Sequence, residues 1–242
     1  LQHIYKAEKF IADFLNKRID SRKIAILEES KILTTLKQAE LGLGIEFSEE
    51  QRMAVKLACE QSLLVITGGP GCGKTTIIRA IAKLSMNCGL RLFLAAPTGK
   101  AAQRMASVCE HSASTIHRLL KYDPFNKRFG YGEYEKLPCD IVIIDETSML
   151  DVLLAQHLFS AIPQEATLIL VGDKDQLPSV GPGRVFADII QISKVKTLKL
   201  SKLFRRSEES SISSVAHLIN AGNLPPIPEP DGITKSDAYF IQ

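Results

Sequence analysis

The stretch VITGGPGCGKTTIIRAIA, residues 65–82, passes from an apolar run to a glycine-rich turn, then to a basic residue and a helical pattern. Its centre, from Gly68 to Thr75, fits the spacing G-x-x-x-x-G-K-[ST]. Glycines let the backbone fold so tightly that successive N–H groups point at phosphate oxygens, and the helix that follows adds its positive end. A strand, a glycine loop and a helix in this order predict a cradle for a triphosphate in an α/β fold.

Two side chains complete this cradle. Lys74 supplies a positive charge for the β and γ phosphates, and the Thr75 hydroxyl is a ligand for Mg²⁺. We therefore expect ATP and Mg²⁺ as ligands. The expected nucleotide contacts are Gly69, Pro70, Gly71, Cys72, Gly73, Lys74, Thr75 and Thr76. The alternative, a glycine-rich turn with a chance Lys-Thr pair, is disfavoured because a β-rich run precedes the loop and a helical run follows it.

The stretch IVIIDETSM, residues 141–149, ends an apolar strand with two acids. In open α/β sheets, ligands bind at the carboxyl ends of the strands, so Asp145 and Glu146 are expected at the same site. Asp145 is suited to hold Mg²⁺, directly or through water, and Glu146 is suited to polarise the attacking water. This pair is typical of ATPases, and the alternative is a solvated acidic pair at a strand end.

A third segment, LVGDKDQLPSVGPGRVF at residues 170–186, also follows a predicted strand. Gln176 could reach the γ-phosphate and report its presence, and Asp173 could support it. The alternative is a loop rich in glycine and proline whose polar residues only cap a helix.

Short β-rich runs alternate with helical runs from Leu63 onward, which predicts βαβ units with right-handed crossovers. Because these runs are apolar on both faces, they suit a parallel sheet covered by helices. The predicted strands are residues 63–67, 91–97, 140–146, 167–173 and 195–200. Residues 121–140 are polar and aromatic with Gly and Pro, so we expect a surface loop or a small hairpin there.

Before the sheet, residues 1–45 have apolar residues near helical spacing. The expected apolar faces are Ile4, Ala7, Ile11, Phe14 and Leu15 in a first helix and Ile24, Leu27, Ile32, Leu33 and Leu36 in a second. Gly42 and Gly44 predict a linker, and Ser48, followed by acids and Gln51, predicts a helix start. We expect a helical segment over 1–45, an ATPase domain over 46–222 and a linker over 223–242, where a second domain would begin.

Composition limits the other possibilities. The 242 residues include five cysteines without a C-x-x-C pair, which argues against a disulfide framework or a zinc site and predicts a cytoplasmic protein. The apolar runs are too short to span a membrane, and the net charge of +3 permits an anionic partner. Aromatic residues make up 6% of the chain, so no base-stacking platform is expected. Because the chain starts at Leu1, we interpret it as a piece of a longer protein.

Taken together, these segments resemble the superfamily 1 DNA helicases, most closely the RecD-like branch, which includes the alpha subunit of exodeoxyribonuclease V and its stand-alone relatives. Residues 1–45 also resemble the region before the motor in that branch. The matching segments, in the family's order, are FSEEQRMAV (47–55), ITGGPGCGKTT (66–76), AAPTGKAAQRM (95–105), STIHRLL (114–120), IIDETSM (143–149), GDKDQLPSVGPG (172–183) and KLFRRS (202–207).

The resemblance implies a RecA-like P-loop domain and a role for each matching residue. Gln51 would read the adenine edge, and Gln176 would sense the γ-phosphate. The other expected catalytic residues are Lys74, Glu146 and Arg205, with Thr75 and Asp145 on Mg²⁺. Single-stranded DNA would be contacted by the segment Pro97, Thr98, Gly99 and Lys100 and by His117. Arg206 departs from the branch, which usually has Gln directly after the matching arginine.

A purely structural role remains an alternative at several of these positions. Gln51 could be an ordinary first-turn helix residue, and His117 a satisfied, half-buried histidine. Lys100 and Arg104 lie one helical turn apart and could form a solvated face, as could Arg205 and Arg206.

In the whole protein the resemblance implies 5′ to 3′ movement along single-stranded DNA, driven by ATP, with duplex unwinding in DNA recombination and repair. Other subunits of a recombination nuclease complex are possible partners. Two alternatives remain: a non-catalytic, nucleotide-binding docking subunit of a nuclease complex, or another P-loop ATPase such as an RNA helicase or a clamp-loader-type switch. The residues of a second motor domain are not recognised after Ala221, so we expect this chain alone to hydrolyse ATP poorly and to unwind nothing.

Overall fold

The computed structural model describes residues 1–19, 21, 29–202, 211–220 and 222–225. The helices are α1 (Gln2–Ile19), α2 (Glu29–Leu43), α3 (Glu49–Glu60), α4 (Lys74–Asn87), α5 (Gly99–Cys109), α6 (Ile116–Leu119), α7 (Val152–Ala161), α8 (Val185–Gln191) and α9 (Ser211–Asn220). The strands are β1 (Leu63–Gly68), β2 (Leu92–Ala96), β3 (Ala113–Thr115), β4 (Tyr122–Asp123), β5 (Arg128–Phe129), β6 (Ile141–Ile144), β7 (Thr167–Gly172) and β8 (Lys196–Leu200). A short 3₁₀ turn covers Thr147–Met149.

Six strands form one parallel sheet in the order β3-β2-β6-β7-β1-β8. All five strands predicted from the sequence lie in this sheet. The one sheet strand that the sequence pattern did not predict is β3, where Ser114 pairs with Ala95. Three residues are too few to show a periodic pattern, so only pairing with β2 reveals this strand.

The sheet is covered by helices on both faces, as the apolar strands require. Successive side chains of β1 point to opposite faces, so Val65 and Ile66 belong to different hydrophobic clusters. Ile66 packs in a cluster with residues of α2, α3, α4 and α5, including Ile78. Val65 packs with residues of α1, α7 and α8, including Phe159. Burial on both faces is the main force that holds the layers together.

Helix α1 packs against α7, with Ala7, Ile11 and Leu15 buried. The last turn of α1 also buries Arg18, whose guanidinium donates to the backbone oxygens of Pro163 and Ala166. The predicted helical segment before the motor is thus in direct contact with the sheet domain.

Helix α2 differs in detail from the expectation. Ile32 and Leu36 are buried as predicted, but Leu33 is 54% exposed because it lies on the outer side of the helix. The predicted linker is also shorter, since Gly42 still belongs to α2 and the chain turns at Gly44, where φ is 62°. Ile24 and Leu27 lie outside the described residues.

The start of α3 confirms the predicted cap. The Ser48 hydroxyl accepts a hydrogen bond from the Gln51 N–H, and the Gln51 side chain accepts one from the Ser48 N–H. Such a reciprocal pair satisfies two backbone donors that a helix end would otherwise leave free.

Between α6 and β6 the chain forms a small antiparallel hairpin, one of the two structures expected for residues 121–140. Tyr122 pairs with Phe129 across the hairpin. Although the sequence is poor in aromatic residues, the His117 ring lies 5.4 Å from Tyr122 and the His157 ring lies 4.4 Å from Phe129. The fold therefore gathers aromatic rings that composition alone did not reveal. Within the described residues, no helix combines the length and apolarity needed to cross a membrane.

Candidate functional site

Three predicted parts of the nucleotide site meet at one edge of the sheet. Strands β6, β7 and β1 are parallel neighbours, so the chain leaves all three at the same edge. The glycine loop follows β1, the acidic pair follows β6 and the Gln176 loop follows β7. The sheet therefore brings together segments that lie far apart in the sequence, at the edge where open α/β sheets bind ligands.

The loop after β1 turns on two glycines with left-handed backbone, Gly71 with φ 76° and Gly73 with φ 77°. In residues other than glycine this conformation is unfavourable by roughly 1–2 kcal/mol. Gly73 directly precedes α4, so the loop ends at a helix amino terminus, where N–H groups are free to bind an anion. Lys74 Nζ donates to Gly68 O at 2.5 Å and to Gly69 O at 3.0 Å, which holds its charge within the loop.

The acidic pair sits in a strained turn. Glu146 has a left-handed backbone with φ 52°, and its N–H donates to Asp145 Oδ1 at 2.9 Å. A left-handed conformation in a residue with a side chain costs about 1–3 kcal/mol and is concentrated at functional sites. The turn keeps both carboxyl groups next to each other at the end of β6.

Burial raises the pKa of Asp145, and the nearby charges of Lys74 and Arg104 only partly oppose this effect. Burial also raises the pKa of Glu146, and the neighbouring negative charge of Asp145 adds to it. The folded chain therefore disfavours two negative charges at this point. A divalent cation would make two negative charges favourable at this point. Carboxylate and hydroxyl oxygens are the ligands that Mg²⁺ prefers. The donor set of Asp145 and Thr75, beside the glycine loop, thus fits Mg²⁺ with a triphosphate.

The loop after β7 is tied to the end of β1 by a hydrogen bond. The Lys174 N–H donates to Thr67 Oγ1, on the strand that leads into the glycine loop. Asp173 is buried, and its carboxylate accepts from the Asp175 N–H at 3.0 Å. Gln176 itself is exposed beside these residues. The structure therefore places Gln176 at the predicted edge, while its contact with a γ-phosphate stays a prediction.

Gln51 is buried at the start of α3, and its side-chain oxygen accepts from the Ser48 N–H at 3.0 Å. This hydrogen bond caps the helix, which agrees with the alternative that Gln51 is an ordinary first-turn helix residue. Recognition of adenine by Gln51 stays a prediction.

The segment predicted to touch single-stranded DNA follows β2, at the same edge of the sheet. Thr98 caps α5 by accepting from the Ala101 N–H at 3.3 Å, and Lys100 is exposed in the first turn. Pro97 is half-buried, and His117 is exposed on α6 beside Tyr122. The structure thus excludes a half-buried His117 but leaves the DNA contacts of this group as predictions. Arg205 and Arg206 lie outside the described residues.

Sequence reasoning missed contacts that depend on the folded chain. Arg104 and Lys100 are both exposed, as a solvated face requires, and the positive charge of Arg104 also lowers the pKa values of Asp145 and Glu146. Glu50 accepts from Ser201 Oγ at 2.6 Å and from Ser201 N at 3.0 Å, which lowers the pKa of Glu50. Since these partners are distant in sequence, no local spacing could have found them.

A parallel sheet with a glycine-rich loop of phosphate-loop spacing after β1 and an acidic pair after β6 defines a P-loop nucleotide-binding domain. The model of one such family, described as the AAA domain, matches residues 51–182, and the chain belongs to this family.

Relatives among characterised proteins agree with this assignment. The ATP-dependent RecD2 DNA helicase of Deinococcus radiodurans is 37% identical over 225 residues, which cover 93% of this chain and 30% of that protein. The RecBCD enzyme subunit RecD of Mycolicibacterium smegmatis is 38% identical over 199 residues, which cover 72% of this chain and 36% of that protein. The chain thus spans about a third of these relatives. These matches confirm the resemblance to the RecD-like branch.

Solved structures agree at the level of the fold. A Pif1 helicase structure, titled for DNA unwinding at forked duplex DNA, covers 75% of this chain with a TM-score of 0.52 and 23% identity. That match spans 50% of the helicase chain. The Pif1 helicase of Candida albicans covers 78% of this chain with a TM-score of 0.50 and 24% identity, also over 50% of its own chain. Both confirm the α/β fold expected of a RecA-like domain.

Proposed function

We propose that this chain is the ATP-binding motor domain of a DNA helicase, which couples ATP hydrolysis to 5′ to 3′ movement along single-stranded DNA and to duplex unwinding in recombination and repair. The observation that carries the proposal is the meeting of Lys74, the acidic pair and the Gln176 loop at one sheet edge, with the Thr98–Lys100 segment on the neighbouring strand β2.

Each residue has a defined task in this proposal. Lys74 and the loop N–H groups hold the phosphates, and Thr75 and Asp145 hold Mg²⁺, which neutralises charge on the phosphates when it is bound. Glu146 orients the attacking water and accepts its proton, a task for which a raised pKa brings the group nearer to working pH. Gln176 responds to the γ-phosphate, and Arg205 supplies a further positive charge.

DNA is proposed to bind along the Pro97–Lys100 segment, beside β6, so that phosphate and DNA contacts lie on adjacent strands. Contacts of this kind go to the DNA backbone, so binding should weaken as salt rises. The domain boundaries proposed above, at residues 45 and 222, separate this motor from the amino-terminal helices and from a linker.

Partner subunits are a second part of the proposal. Several relatives, including that of Mycolicibacterium smegmatis at 38% identity, are named as subunits of the RecBCD enzyme. This observation favours assembly with other subunits of a recombination nuclease, either for an active motor or for a docking subunit without catalysis.

The test measures ATP binding and ATP hydrolysis with Mg²⁺, with and without single-stranded DNA, in the full protein and its Lys74→Ala variant. Charged hydrogen bonds contribute about 1.5–3 kcal/mol, so we expect ATP affinity to fall roughly 10- to 150-fold in the variant. Ser160→Ala, on the exposed end of α7, is the matched control, and its turnover should equal that of the unaltered protein.

DNA-stimulated turnover that is lost in Lys74→Ala supports the motor. ATP binding without turnover supports the docking subunit instead, and stimulation by RNA but not by DNA would move the proposal to an RNA helicase. We expect the isolated 242-residue chain to hydrolyse ATP slowly and to leave duplex DNA intact, and duplex unwinding by this chain would contradict that expectation.

A further inference from the structure

Ser148 lies in the 3₁₀ turn that follows the acidic pair, and its hydroxyl oxygen is buried without a hydrogen-bond partner in the described part of the chain. The hydroxyl of its neighbour Thr147 donates to Ile144 O at 3.0 Å, so the turn itself is stable without Ser148. A buried hydroxyl that lacks a partner is unfavourable and uncommon in native proteins, which calls for an explanation.

The space in front of this hydroxyl is shared with the loop after β7. Ser148 lines a cavity of about 30 Å³, together with Asp173, Lys174, Gln176, Arg184 and Phe186. This volume is far too small for a nucleotide, but it admits one water molecule or the end of a side chain.

Glycines bring the turn and the loop into close contact. A Cβ on Gly172 would lie 2.9 Å from the Phe186 ring and 3.2 Å from Ser148 N. A Cβ on Gly181 would lie 2.6 Å from Asp151 Oδ2. A side chain that rotates into the cavity can therefore reach Ser148 without a shift of the turn or the loop.

Gln176 has the right chemistry for this partner. Lys174 and Arg184 have no acceptor for the hydroxyl proton, and the Asp173 carboxylate, which accepts from the Asp175 N–H, has no donor for a phosphate oxygen. The Gln176 amide has both an acceptor and two donors, and within the described residues its side chain makes no hydrogen bond. One end of this amide can accept from a hydroxyl while the other donates to a phosphate oxygen.

We propose that Ser148 is the positioning residue for Gln176. When a γ-phosphate is bound, the Ser148 hydroxyl donates to the side-chain oxygen of Gln176 and turns the amide NH₂ group towards the phosphate. The turn after the acidic pair and the phosphate sensor are then linked by a single hydrogen bond. The inference rests on the proposed function, since it takes Gln176 as the sensor of the γ-phosphate.

The test compares the full protein with its Ser148→Ala variant in the absence of DNA. The measured quantity is the ratio of the Kd for ADP to the Kd for a non-hydrolysable ATP analogue, both with Mg²⁺. One neutral hydrogen bond corresponds to roughly 2- to 10-fold in an equilibrium constant, so we expect the ratio to fall by about that factor. The Tm of the ligand-free variant should not fall, because the hydroxyl has no partner to lose.

Two further variants make the test specific. In Gln176→Ala the ratio should fall at least as far, and adding Ser148→Ala to it should cause no further loss. Ser160→Ala, whose hydroxyl donates to His157 O on the exposed end of α7, is the matched serine control and should keep the original ratio.

The inference is overturned if Ser148→Ala keeps the original ratio or raises the Kd of both nucleotides by the same factor. It is overturned as well if the double variant lowers the ratio by the product of the two single fold-changes. It is also overturned if Gln176→Ala leaves the ratio unchanged. Because the measurement needs neither DNA nor turnover, a protein without DNA-stimulated hydrolysis would refute the proposed motor and still give a result here.

Discussion

Asp145 is a partly buried carboxyl group whose nearest balancing charges, on Lys74 and Arg104, do not offset its desolvation. Its pKa in the folded chain lies above the usual value, so the folded state binds a proton more tightly than the unfolded state. Stability that is present below the usual aspartate pKa is therefore lost as the pH rises through the folded pKa. At neutral pH, without a cation, this residue lowers the free energy of unfolding.

We expect Asp145→Asn to raise the Tm of the ligand-free protein at pH 7 by a few degrees, since about 1 kcal/mol corresponds to roughly 2–4 °C in a domain of this size. The amide oxygen still accepts from the Glu146 N–H, so the turn is kept. Melting curves from pH 4 to pH 8 check this, and the gain should shrink towards the acid end. Asp151→Asn, whose amide oxygen keeps the α7 cap, is the control.

Added Mg²⁺ and ATP should stabilise the unaltered protein more than Asp145→Asn, because ligand binding raises stability only through the folded state. Suppose Asp145→Asn is less stable than the unaltered protein at pH 7, or its Tm rises as much as that of the unaltered protein when Mg²⁺ and ATP are added. Burial of the Asp145 carboxyl then does not determine stability or ligand binding at this site.

At the scale of elements, the loop between β7 and α8 is held against the start of α7. The Val152 N–H donates to Pro182 O at 2.9 Å, and Ser179 Oγ donates to the backbone oxygens of Gly181 and Gly183. Gly183 has a left-handed backbone with φ 89°, and a Cβ at this position would overlap the Val152 side chain. The loop that carries Gln176 therefore takes its shape from a contact between two elements.

Gly183→Ala should lower the free energy of unfolding by more than the roughly 1–2 kcal/mol that left-handed backbone costs, because the overlap adds to that cost. Gly89→Ala is the matched control, since Gly89 has φ 67° and nothing lies within 4 Å of its Cβ position. Urea unfolding of both variants measures the difference. Equal losses in the two variants would show that the contact with Val152 relaxes without cost.

At the scale of the whole molecule, the amino-terminal helix is anchored to the sheet domain by one buried cation. The Arg18 guanidinium donates to the backbone oxygens of Pro163 and Ala166 and stacks on Phe14, with its carbon 4.6 Å from the ring centroid. Burial lowers the pKa of Arg18 to about 10, so it stays charged at neutral pH. The planar guanidinium suits several acceptors at once, which an ammonium group cannot match.

Arg18→Lys should therefore destabilise the protein although it keeps the charge. Loss of hydrogen bonds to a charged group costs about 1.5–3 kcal/mol, which we expect to see as a lower urea midpoint. Lys17→Arg, an exposed change in the same helical turn, is the control. An unchanged midpoint in Arg18→Lys would mean that α1 is held by its apolar face alone.

Much of this protein follows from local sequence. Sequence spacing alone reveals the loop from Gly68 to Thr75 and the acids at 145 and 146. The reason is that a phosphate-binding loop and a strand end are each built from consecutive residues. The five long strands and the α3 cap were predicted for the same reason. Strand β3 and the exposed side of Leu33 were not, because each depends on which surface a neighbouring element covers.

The sequence by itself therefore determined the fold class and the place of the glycine loop, and it predicts the residues of the candidate site. Only the tertiary structure decided how the segments after β6 and β7 meet, with Gly172 against Ser148 and Gly181 against Asp151. It also decided that Arg18 is buried. The physical reason is that such contacts join residues distant along the chain, and their geometry exists only once the sheet has aligned its strands.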